Sequence, residues 1–146
     1  FNFGNLANTQ IKSVFATQDA GSFDWSNLQT ATAANHDTSF GFSGGDVDSA
    51  ATAYTGTATI SGVAGAISLA LNSYTSGGVS STKHYNSTIL ADTSSPSGES
   101  DYAYGVVVVP NQKDFQNVSA DIDYELLVGI SNPAAVETYY LYLDVR

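Results

Sequence analysis

Cysteine and methionine are absent from the 146 residues, there are three prolines and one tryptophan, and lysine and arginine together number only four. Without cysteine, neither a disulfide framework nor a thiolate metal site can form. Four cations are too few to neutralise a run of phosphates, which argues against nucleic acid and anionic membranes as partners. The longest nearly apolar stretch, residues 63–71, falls well short of the roughly 20 residues a membrane span requires, so no membrane insertion is expected. Good helix formers are scarce: glutamate occurs only at Glu99, Glu125 and Glu137, and lysine only at Lys12, Lys83 and Lys113. A charged run followed by an apolar core, the mark of an export signal, is missing too. The chain opens on Phe1, so we expect a mature exported protein, secreted or displayed at the cell surface.

What is present points to strands. Hydrophobic residues make up 42% of the chain, with nine Tyr and seven Phe, and the charged fraction is 12% where roughly 25% is usual. The net charge is −10 and the isoelectric point near 4.1. Cations, glycans and other proteins therefore remain as partners. Hydroxyl and amide side chains, rather than charges, supply most of the polar surface.

Period-two alternation is longest over residues 118–130, where Val118, Ala120, Ile122, Tyr124, Leu126, Val128 and Ile130 form one apolar face. The turn-forming stretch 131–135 and the β-branched, aromatic stretch 138–145 follow it, and together they predict a hairpin. The unbroken apolar run 103–109 predicts a central strand covered on both faces. Residues 11–17, 66–74 and 85–91 read as further strands, 54–60 and 39–42 as weaker ones. One short helix at most is expected, within residues 24–34, with Ser26 as its cap. Eight or nine strands with Gly/Ser/Asn turns and no interleaved amphipathic helix predict an all-β fold, an antiparallel sandwich of the jelly-roll or immunoglobulin-like type.

Chemistry-bearing patterns are few. Gly41, Ser43 and Gly45 match G-x-S-x-G, but no helical amphipathicity follows, as a nucleophile elbow would need, so the match reads as chance. His36 and His84 are the only imidazoles and read as surface residues in a loop and at a strand start. No set of acid, base and nucleophile emerges, and we expect no enzyme and no obligatory cofactor. Asp46 and Asp48 beside Gly44 and Gly45 form the one loop suited to a hard cation such as Ca2+. Asp121, Asp123 and Glu125 fall on one side of the alternation and read as a solvated outer face, with cation bridging between neighbouring subunits as the alternative. Asn86 and Asn117 each open an N-x-S/T sequon and are candidate glycosylation sites.

The segment preceding these strands is unusual. Phe1, Phe3 and Leu6 place large apolar side chains where chains are usually polar and frayed. Residues 1–16 are accordingly read as an N-terminal strand segment and 17–146 as the sandwich domain. Either residues 1–8 form an edge strand of their own sheet, or they complete the sheet of a neighbour by β-augmentation. The run FNFGNLANTQ followed by IKSVFAT, with long strands near the C-terminus, resembles the subunits of donor-strand surface filaments: archaeal threads and bundling pili, and the TasA-like biofilm fibres. That resemblance implies a homopolymer in which one subunit's leading strand fills a groove in the next, with Phe1, Phe3, Leu6 and Ile11 as the plugging side chains. Two other readings stay open. Tyrosines suited to sugar stacking allow a secreted carbohydrate-binding or adhesin module, and the composition also fits a viral capsid or tail protein.

Overall fold

The structure is a computed structural model and describes residues 11–43, 46–47, 49–61, 68–76, 85–113, 121–131 and 136–145. It is mostly strand, built on one antiparallel sheet. The strands are β1 (Ile11–Thr17), β2 (Gln29–Thr30), β3 (Gly56–Ser61), β4 (Ser68–Ser76), β5 (Tyr85–Ala91), β6 (Tyr102–Val107), β7 (Gln112–Lys113), β8 (Asp121–Ile122) and β9 (Tyr140–Val145). Six of them lie in the order β3-β4-β5-β6-β1-β9, β2 adds to β5, and β7 pairs with β8 separately.

Residues 11–17 and 85–91 form strands with the predicted bounds, and β6 is central as the run 103–109 predicts. β1, β5 and β6 are buried on both faces because each face has its own cover. Pairing of Val14 with Val106 and Leu143, and of Ile89 with Tyr104, puts these side chains on one face. Two apolar clusters cover that face. One joins Ile89, Tyr102 and Tyr104 to Phe40, Ala50 and Tyr54, and the other joins Val14, Tyr85 and Val106 to Ile11 and Tyr124. Opposite them, Phe15, Leu90 and Ala103 pack under Phe23 and Leu28, with Trp25 bridging Phe15, Phe23 and Tyr142 at ring separations of 5.4, 4.6 and 5.0 Å.

Several expectations are overturned. The predicted helix within 24–34 is a single 3-10 turn, Trp25–Asn27, capped by Asp24 rather than Ser26: the Asp24 carboxylate accepts from the Ser26 amide at 3.0 Å. Two short helices lie further on, α1 (Ala33–Ser39) and α2 (Ala50–Ala53), where at most one was expected. Thr32 caps α1, accepting from Asn35 N, and Ser49 caps α2. Residues 39–42, read as a weak strand, instead end α1. Gly41 takes the left-handed φ of 73° just past the helix end, so the first glycine of the G-x-S-x-G match is a helix stop.

Nor is the long strand 118–130 a ladder strand over its described length. Only Asp121–Ile122 is paired, and among the described residues 124–130 join no sheet. Side chains bond this backbone instead. Leu127 N donates to Ser87 Oγ at 2.8 Å, Leu127 O accepts from Tyr54 Oη at 2.6 Å, Ile122 O from Tyr85 Oη at 2.7 Å, and Gly129 O from Tyr139 Oη. Hydroxyls on and beside the sheet thus replace ladder hydrogen bonds while Tyr124 and Leu126 still face the core. The predicted hairpin partner of this segment, β9, pairs with β1.

β1 lies between β6 and β9, so residues 11–16 belong to the sheet interior, and only residues 1–10 precede it.

Candidate functional site

Two features of the described surface have chemical consequences: the margin of the sheet at β9, and a cavity over α1 and α2.

β9 pairs with β1 through Val14↔Leu143, Phe15↔Tyr142 and Ala16↔Leu141, and among the described residues its other edge has no partner. Leu141, Leu143 and Val145 alternate along it and are 52, 47 and 60% exposed, and Tyr140 is also exposed. Natural sheets protect a free edge with lysine, proline or a short strand. β9 runs six residues, contains neither lysine nor proline, and carries one charge, Asp144. Such an edge offers backbone donors and acceptors beside an apolar stripe, which is what an added strand needs.

Of the predicted plugging residues, Phe1, Phe3 and Leu6 lie outside the described residues. Ile11 is 9% exposed and packs with Val14, Tyr85, Val106 and Tyr124 of its own chain.

Asp46 is exposed, and its carboxylate accepts from Ser43 N at 2.8 Å, closing a turn. Asp48 lies outside the described residues, and among those described no three His, Asp or Glu side chains converge to hold a metal ion. The reading of Asp121, Asp123 and Glu125 as a solvated face fails at Asp123, which is 1% exposed. Its Oδ1 accepts from the amide of Asn111, a residue at φ 59°, so this carboxylate fixes the turn after β6. Asn86 is exposed on β5. Asn117 and His84 fall outside the described residues.

His36 is not a surface residue. It sits in α1, 2% exposed, with its ring stacked on Phe40 at 4.2 Å and Nε2 2.5 Å from Tyr104 Oη. Ala33, His36, Asp37 and Phe40 recur at helical spacing and are all buried, a signal hidden by the misplaced helix. Asp37 turns its carboxylate to the start of α2, accepting from Ala50 N at 2.6 Å and Ala51 N at 3.0 Å. Burial lowers the pKa of His36 from its ordinary 6.5, opposed in part by Asp37, whose Oδ1 is 3.5 Å from Nδ1. Tyr104 is pushed far above the usual phenol range, chiefly by burial. It therefore stays protonated, and the Asp37 carboxylate facing Nδ1 favours the tautomer of neutral His36 with its proton there, for which Tyr104 donates to Nε2.

A depressed histidine pKa makes stability pH-dependent. The contribution from keeping His36 neutral is complete above about 6.5 and is lost as pH falls from there through the lowered folded-state value, because only the unfolded chain binds the proton readily. We expect the urea midpoint to fall between pH 7.5 and pH 5, and His36→Gln to flatten that part of the profile. An equal slope in both proteins would assign it to other groups.

Above His36 lies a cavity of about 340 Å³, bounded by Phe42, Val47, α2, Tyr54 and residues 127–130. A second hollow, of about 500 Å³, is lined by hydroxyls and amides of Asn35, Thr38, Ser39 and residues 94–97, with no aromatic ring on which a sugar could stack.

The chain matches no known family model, no curated protein and no solved structure.

Proposed function

We propose that this chain is a structural subunit of an extracellular surface filament, a pilus or biofilm fibre, and not an enzyme. In this reading residues 1–10 of one copy, carrying Phe1, Phe3 and Leu6, add to the outer edge of β9 in the next. The observation that carries it is the exposed apolar stripe Leu141, Leu143, Val145 on a strand at the sheet margin. Donor and acceptor lie on different surfaces of one subunit, so the contact is heterologous and propagates into an open fibre. Topology favours a neighbour over the same chain. Ile11 pairs with Val145 at the end of β9, so its own residues 1–10 would have to loop over that end and run back parallel to β9. A second copy is free to pair antiparallel. The finer fold belongs to the same proposal: an antiparallel sandwich of eight or nine strands, jelly-roll or immunoglobulin-like, whose second layer begins with the segment bearing Tyr124 and Leu126.

Deletion of residues 1–8 tests the reading. Negative-stain microscopy is expected to show fibres for the whole chain and none for the truncated one, with the circular dichroism of the fold retained. A whole chain that stays monodisperse when concentrated, or a truncated one that still polymerises, would refute it. Monodisperse particles retained on a polysaccharide column would favour the carbohydrate-binding alternative, and closed shells the virion.

A further inference from the structure

We infer that the cavity over His36 is a binding site for a small uncharged aromatic molecule, of about the size of phenol or indole, independent of strand donation. Its volume of about 340 Å³ is ample, since an apolar cavity of roughly 150 Å³ already holds benzene. Phe42, Val47, Ala50, Ala53, Tyr54 and Ile130 supply apolar and aromatic walls, and none of the lining residues carries a fixed charge. Val47 and Ile130 are 80 and 45% exposed, so the walls reach solvent and leave a way in.

The cavity does not close by collapse, because its 127–130 side is pinned. Leu127 is held through its amide by Ser87 and through its carbonyl by Tyr54, and Gly129 O is held by Tyr139. A shape fixed in this way is preorganised, and a ligand need not order it.

The lining also sets the ligand's charge. His36 lines the cavity as a neutral ring, while its Nδ1 is closed off from solvent and faces Asp37 Oδ1 at 3.5 Å, so that atom is not open to a ligand. The chemistry is that of a neutral ring held by apolar and aromatic contact. A carboxylate would have to shed its hydration among apolar walls beside Asp37.

Titration of the full chain with p-cresol, followed by amide NMR, tests the inference. We expect saturable shifts centred on the amides of Ala50, Ala53, Tyr54 and Gly129, and binding of benzoate weaker by about tenfold or more, reflecting the cost of burying a charge. Ala53→Phe, which fills the cavity from a partly exposed wall, is expected to abolish the shifts. If that variant fails to fold, the shift map and the benzoate comparison on the unaltered chain still decide. Absence of saturable shifts, shifts centred elsewhere, equal binding of benzoate, or undiminished binding to folded Ala53→Phe overturns the site. None of these outcomes bears on fibre formation.

Discussion

Replacing Leu141 and Leu143 together with lysine is expected to abolish fibre formation while leaving the subunit folded. Both side chains are about half exposed on the margin strand, so lysine can lay its methylenes over the same surface and keep its ammonium in water. The fold therefore loses little. An added strand, by contrast, would have to cover two charged heads, the device by which natural sheets keep their edges free. General electrostatics predicts the opposite sign. The subunit carries −10, and two added cations bring it to −8 (−10 + 2), which reduces repulsion between copies and should favour association if charge alone governed assembly. Loss of polymer thus points to the edge itself. Sedimentation and negative-stain microscopy at matched concentration provide the readout, with urea unfolding as the control for stability. Fibres growing from the double variant as readily as from the unaltered chain would place the acceptor away from β9, and strand donation would then need another edge.

How much of this was legible in the sequence differs from element to element, for physical reasons. β1 and β5 could be read to the residue because apolar and β-branched side chains run through them and polar turn residues flank them. Periodicity states which side chains face inward; it does not state what the backbone bonds to. Residues 124–130 show this, since Tyr124 and Leu126 face the core as the alternation requires, while the backbone bonds to hydroxyls of Tyr54, Ser87 and Tyr139. Partner choice is equally invisible locally. Neighbouring strands in sequence usually pair, yet β9 crosses to β1 at the other end of the chain, and that crossing turns an expected hairpin strand into a sheet margin.

The candidate site was legible only in part. Phe1, Phe3 and Leu6 announce an apolar segment from composition alone, whereas the acceptor stripe on β9 needs the strand order to be known. The cavity depended on placing α1 correctly. Ser26 and Thr32 both satisfy the chemistry of a helix cap, and the apolar spacing after Thr32, running through Ala33, His36 and Phe40, decides between them. Gly129 gave no local signal, because its role comes from residues distant in the chain.

Gly129→Ala is expected to be among the most damaging single substitutions in the chain, although it adds one methyl group. A Cβ at this position would stand 2.5 Å from Tyr104 Oη, 2.8 Å from His36 Nε2 and 2.9 Å from His36 Cε1. Backbone conformation is not the difficulty, since Gly129 does not hold a left-handed φ; the difficulty is space. Neither ring can yield cheaply. Tyr104 is fully buried in the middle strand β6, and His36 is held between Phe40, Tyr102 and Tyr104. Moving the 127–130 segment outward would break the bonds from Tyr54 and Tyr139 to its carbonyls. Overpacking of this kind costs roughly 1–3 kcal/mol, and disrupting the Tyr104–His36 hydrogen bond adds about 1 kcal/mol. For a domain of this size the melting temperature should fall by on the order of 10 °C. Tyr104→Phe removes the oxygen that the new methyl meets, so Gly129→Ala should cost clearly less in that background, giving a double-mutant coupling of about 1 kcal/mol or more. Equal losses in both backgrounds would mean that the methyl group is accommodated elsewhere, and that Gly129 does not stand against the His36–Tyr104 pair.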